Sequence, residues 1–109
     1  MTDQPDLSFG EQGAQLTYGS YLAVPELLSC QRLQSTAHDE LLFITVHQVY
    51  ELWFQQLLHE TAAARDAMLD GDGTPDGDGG RDLWRAQHLL RRVATIEQVL
   101  VQQIDVLET

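Results

Sequence analysis

The chain has 109 residues, room for one small domain, and its 17 acidic residues face six basic ones, all arginine, for a formal net charge of −11. Such a surface repels phosphate backbones and anionic lipid, which argues against a nucleic-acid or membrane-surface role. No run approaches the ~18 consecutive apolar residues of a membrane span. The single cysteine, Cys30, forms no intramolecular disulfide, which fits a reducing cytoplasm.

Residues 1–15, MTDQPDLSFGEQGAQ, lack the basic and apolar regions of a secretory signal and read as a flexible N-terminal arm. Thr17 to Leu22 is a compact aromatic segment with Gly19 between Tyr18 and Tyr21. Pro25 suits the first turn of a helix, where its missing N–H has no helical partner to lose. PELLSCQ therefore reads as a short helix of about two turns.

The main helix is expected from about Ala37 to Leu69, with Asp39 and Glu40 in a first turn that favours negative charge. Its large apolar residues form two adjacent stripes. Leu42, Val46, Val49 and Trp53 make one; Phe43, His47, Tyr50 and Phe54 make the other; Leu57 and Leu58 extend both. At 1.5 Å per residue the helix would span roughly 45–50 Å. So wide an apolar face needs more cover than one short helix, so other segments or subunits are expected on it.

DGDGTPDGDGG, Asp70 to Gly80, breaks the pattern as an Asp/Gly-rich loop. A second helix is expected from about Arg81 to Leu107, with a stripe of Leu89, Val93, Ile96, Leu100 and Leu107. Its near-heptad spacing predicts an antiparallel hairpin of two long helices. No segment reads as a strand, and the fold class is all-α. The second helix is still apolar at QVLVQQIDVLET with no capping glycine, as expected of one portion of a larger helical fold.

Short metal motifs fail on spacing. An EF-hand loop counted from Asp70 has Arg81 where the bidentate glutamate belongs. His59–Glu60 opens like a zinc-protease motif, but Ala63 stands where the second histidine is needed. Three residues after Glu40 and Glu51 stand Phe43 and Phe54, not the histidines of a di-iron bundle. No metal ligand is assigned, and Cys30 reads as a buried structural thiol.

His47 is open to two readings. A lone histidine on an apolar helix face is most often a packed core residue with a satisfied hydrogen bond. However, Phe43 and Tyr50 flank it one turn away on either side, and Glu51, four residues on, is placed to orient the imidazole. An apolar wall with one placed polar group is how small-molecule sites are built. Tyr18 and Tyr21 share the ambiguity: they either staple their segment to the core or line a polar pocket edge.

LTYGSYLAVPELLSCQ followed by HDELLFITVHQVYELWFQQLLHE resembles the N-terminal part of the tryptophan 2,3-dioxygenase family, with the likeness running from about Leu16 to the C-terminus and the Asp/Gly loop as a departure. The resemblance implies an all-helical, homotetrameric, cytoplasmic enzyme. It would use haem b and O₂ to open the indole ring of L-tryptophan, giving N-formyl-kynurenine in the kynurenine pathway. By position, Phe43 would lie against the haem on its substrate side. His47 would be the catalytic-site histidine that accepts a hydrogen bond from the indole N–H. Tyr18, Tyr21 and Leu22 would complete the active site of a neighbouring subunit.

The resemblance also implies what these residues do not supply. The family's proximal haem histidine and the arginine that clamps the substrate carboxylate match neither His38, His59 and His88 nor any of Arg32, Arg65, Arg81, Arg85, Arg91 and Arg92. The chain alone is therefore expected not to turn over tryptophan. Two rival readings use the same residues: a divergent haem enzyme of this superfamily serving secondary metabolism, and a non-catalytic helical interaction module.

Overall fold

A computed structural model describes residues 16–70 and 78–109. The expected N-terminal arm, residues 1–15, and most of the Asp/Gly loop, 71–77, lie outside the described residues. Four helices follow in order: α1, Tyr18–Tyr21; α2, Val24–Leu27; α3, Glu40–Asp70; and α4, Asp78–Leu107. The described elements are all helical, and among the described residues no helix is long and apolar enough to cross a membrane. The chain divides into two units, Met1–Leu41 and Leu42–Thr109.

The first unit holds α1 and α2, neither of which has a buried residue. Thr17 caps α1 with a reciprocal pair of bonds: Ser20 N–H donates to Thr17 Oγ1 at 3.2 Å, and Thr17 N–H donates to Ser20 Oγ at 3.0 Å. Ala23, the N-cap of α2, adopts the left-handed conformation at φ 54° and ψ 44°. For a residue with a Cβ this costs about 1–2 kcal/mol, so the turn between the helices is held against local strain.

Helix α2 is one turn, not the two expected. Past Leu27 the polar side chains take the helix's own carbonyls: Ser29 Oγ donates to Glu26 O at 2.7 Å, and Gln31 Nε2 donates to Leu27 O at 3.0 Å. Such side chains offer the backbone an alternative to continuing the ladder. Cys30 is exposed, which corrects the expectation of a buried thiol; its Sγ–H donates to Glu26 O at 3.2 Å.

Helix α3 begins at Glu40, three residues later than expected. Residues 37–40 form a turn closed by Glu40 N–H to Ala37 O at 3.2 Å, while the Glu40 side chain reaches back along the chain. At 31 residues α3 is about 46 Å long. Helix α4 begins at Asp78, three residues earlier than expected, and takes in Gly79 and Gly80.

The second unit is an antiparallel hairpin, as the spacing predicted. Tyr50 bonds Leu100 and Glu60 bonds Arg92, so residue numbers rise along α3 as they fall along α4. One of the two stripes on α3 forms most of the seam, and Tyr50 reaches α4 from the other. Val46, Ala64 and Ala67 are buried there, with Leu42, Val49, Trp53 and Leu57 partly buried, while α4 contributes Ala86, Leu89 and Ile96. Ala64, Ala67 and Ala86 are buried small residues at that end.

The rest of the second stripe stays open: Phe43, His47, Phe54 and Leu58 are exposed. Leu107, expected in the α4 seam, is exposed as well. Leu83, Trp84, Leu90, Val101 and Ile104 add to the uncovered apolar surface of α4. The surplus expected from the sequence is therefore present.

Candidate functional site

Phe43 and His47 stand one turn apart near the start of α3, on its open face. Their rings meet at a centroid distance of 4.3 Å and an interplanar angle of 35°. Phe43 is 58% exposed, although a ring of that size gains about 1.5–3 kcal/mol from full burial. A flat aromatic face beside one imidazole is thus presented outward, where it can meet a flat apolar group.

The imidazole is oriented by the backbone and not by Glu51. His47 Nδ1 lies 2.7 Å from Phe43 O. A carbonyl oxygen only accepts, so Nδ1 carries the proton and donates. In the neutral ring Nε2 is then unprotonated and is an acceptor. The residue that supplies the aromatic face therefore also sets the polarity of the imidazole. Nothing in the sequence signals this role for Phe43 O, because every helical residue offers an i−4 carbonyl.

Tyr50, the expected second flank of His47, is engaged elsewhere. Its ring stacks on Phe54 at 6.0 Å and 8°, and its hydroxyl donates to Leu100 O at 2.7 Å. It ties α3 to α4, and among the described residues Phe43 is the ring packed against His47. Tyr18, Tyr21 and Leu22 belong to the first unit, on α1 and its C-cap, and all three are exposed.

A second polar feature lies in the hairpin seam. Glu60 is 4% exposed, accepts from Gln56 Nε2 at 2.6 Å, and meets Arg92 Nη1 at 3.3 and 3.4 Å. Burial pushes its carboxyl up, but the bonds from Gln56 and Arg92, with the charges of Arg92 and His59, outweigh this and hold it below the usual range. It is a structural ion pair, remote in sequence from Phe43 and His47. No cluster of three metal-binding side chains occurs among the described residues.

The whole pattern has counterparts. The family model for tryptophan 2,3-dioxygenase matches residues 2–109. A tryptophan 2,3-dioxygenase of Nocardioides sp. is 72% identical over 105 residues, covering 94% of this chain and 37% of the relative. One from Anaeromyxobacter sp. is 52% identical over 96 residues, covering 88% of this chain and 32% of the relative. One from Rattus norvegicus is 40% identical over 99 residues, covering 86% of this chain and 23% of the relative. The chain thus spans about a quarter to a third of the length of these relatives. With a helical hairpin as its fold and a family match along nearly its whole length, the chain belongs to the tryptophan 2,3-dioxygenase family.

Proposed function

We propose that this chain supplies the substrate-side wall of a haem-dependent pocket in which L-tryptophan reacts with O₂ to give N-formyl-kynurenine. The observation that carries the reading is the state of His47: Nδ1 is engaged by Phe43 O, which leaves Nε2 as an acceptor beside an exposed aromatic ring.

The donor set fits haem in a non-ligating way. Phe43 offers a flat apolar face to a flat macrocycle, and His47 offers its one acceptor to substrate. Haem b, when bound, supplies the activation of O₂, which protein side chains cannot provide. None of these side chains is assigned to the iron.

The chain's own residues bind and orient. His47 Nε2 accepts the indole N–H and so fixes which edge of the ring faces the reacting centre. An indole N–H left unpaired in the closed site would cost about 1–3 kcal/mol, so this one bond selects the orientation. Phe43 excludes water from the face of the ring and holds the indole close, a proximity effect. Tyr18, Tyr21 and Leu22 close the pocket of a neighbouring copy in a homotetramer. The exposed stripes of α3 and α4 give such an assembly apolar surface to bury. A cytoplasmic enzyme is in keeping with the lone exposed cysteine.

The test is His47→Ala in the complete polypeptide, with N-formyl-kynurenine formation and haem content measured together. The reading expects kcat/KM for L-tryptophan to fall about 5- to 150-fold, the equivalent of losing that 1–3 kcal/mol, with the haem Soret band retained. Loss of haem from a variant that is otherwise folded would assign His47 to the iron and overturn the non-ligating role. A wild-type protein that binds haem and leaves tryptophan untouched would overturn the reaction.

A further inference from the structure

The unit that carries Tyr18, Tyr21 and Leu22 has no buried side chain among its described residues. Among those residues, hydrogen bonds between near neighbours in sequence hold the backbone. Thr17 and Ser20 cap each other, Ser29 and Cys30 return to Glu26 O, and Gln31 returns to Leu27 O. The last link is Glu40.

Both carboxylate oxygens of Glu40 are in use. Oε2 accepts Gln34 N–H at 2.7 Å; Oε1 accepts Ser35 N–H at 2.9 Å and Ser35 Oγ–H at 2.8 Å. Ser35 Oγ in turn accepts Ala37 N–H at 3.2 Å. The clamp sits on the irregular stretch between α2 and α3, where no helical ladder satisfies these amides. Charge-assisted bonds of this length are roughly twice as strong as neutral ones. In keeping with that, Gln34 N–H and then the Ser35 hydroxyl hold the Glu40 carboxyl below the usual range, against the opposing effect of desolvation.

We propose that Glu40 is a positioning residue: its carboxylate clamp keeps the Tyr18–Tyr21 unit in one preformed shape, ready to close on substrate. This rests on the reading above that Tyr18, Tyr21 and Leu22 complete the pocket. The physical link is population. When only a fraction of molecules holds the competent shape, the apparent dissociation constant rises by the inverse of that fraction. The chemical step, once substrate is bound, is untouched.

The experiment compares wild type, Glu40→Ala, Glu40→Gln and Ser35→Ala in the complete polypeptide by hydrogen exchange and steady-state kinetics. Glutamine is the informative variant, because it keeps the size but offers one acceptor oxygen and puts an NH₂ donor against an N–H. In both Glu40 variants, protection of the Gln34 and Ser35 amides should fall by about tenfold or more. KM for L-tryptophan should rise about 5- to 20-fold with kcat and haem content unchanged, the signature of lost binding and not of lost chemistry. Ser35→Ala leaves both amide bonds and should shift KM less than either Glu40 variant.

Amides that exchange equally fast in wild type and variants would show that the clamp does not hold in solution, whatever the enzyme does. Protection lost with KM unchanged would leave a clamp of structural value only and overturn the positioning role. A wild type that protects these amides but does not turn over L-tryptophan would overturn the functional reading, and the positioning role with it.

Discussion

The Glu60–Arg92 pair lends itself to a quantitative prediction, because the two partners are buried unequally. Glu60 is 4% exposed, whereas Arg92 is largely solvated, its side chain 51% exposed. The Nη1–oxygen distances of 3.3 and 3.4 Å lie beyond the usual hydrogen-bond range, while the Gln56 bond at 2.6 Å is short. Arg92→Ala therefore removes the weaker of two partners and leaves a buried carboxylate with the stronger one. The cost should sit at the low end for a buried charged group, about 1 kcal/mol. Replacing Glu60 by methionine, of similar length and without charge, should be near neutral, because the desolvation of the carboxylate disappears along with its bonds. In that background Arg92→Ala should then cost almost nothing.

Urea unfolding followed by helical circular dichroism measures the cycle, and about 1 kcal/mol corresponds to a midpoint shift of about 0.3–1 M. The pH dependence has a definite sign. The folded Glu60 carboxyl is held below its unfolded value, so the pair's contribution is fully present above the unfolded pKa of about 4.3. The contribution is lost as pH falls from the ordinary glutamate range through the lower folded value, and the Arg92→Ala cost should vanish there. An Arg92→Ala cost that is equal, within about 0.3 kcal/mol, in the wild-type and Glu60→Met backgrounds would refute the reasoning.

Three further outcomes follow from the same packing. Tyr50→Phe removes the bond to Leu100 O but keeps the ring on Phe54, so it should destabilise the hairpin by about 0.5–1.5 kcal/mol in the same urea titration. Ala64 is 1% exposed, and Ala64→Leu should overpack its surroundings at a cost of about 1–3 kcal/mol. For a chain of this size each kcal/mol lowers the melting temperature by about 4–8 °C, so a scanning melt of Ala64→Leu that shows no decrease would contradict the close-packed seam. Leu58→Gln, on the open stripe, should leave the hairpin's melt within about 0.5 kcal/mol of wild type, because Leu58 is exposed.

The hairpin was legible in the sequence because helix periodicity is local. Steps of three and four put Leu42, Val46 and Val49 on one line and Leu89 and Ile96 on another, whatever else the chain does. The same periodicity could not say which stripe of α3 meets α4, since both carry large apolar or aromatic residues. Boundaries moved by about one turn wherever a side chain competed for backbone groups, as Glu40 does at the start of α3 and Ser29 and Gln31 do after α2. The candidate site was legible only through the long HDELLFITVHQVYELWF block, because a histidine at helical spacing is compatible with a core position as well.

Sequence by itself determined two long amphipathic helices, an acidic surface, more apolar face than one hairpin covers, and the family likeness that singles out Phe43 and His47. Tertiary structure alone decided that Phe43 and His47 lie on the open side while Val46 and Ala64 fill the seam. It also turned Tyr50 to a carbonyl fifty positions away, buried Glu60 with Arg92, and proved Phe43 O, not Glu51, to be the partner of His47. The physical reason is the same in each case. A residue's spacing fixes the face of the helix it occupies, but its partner is whatever lies across that face, and that is known only once the chain has folded.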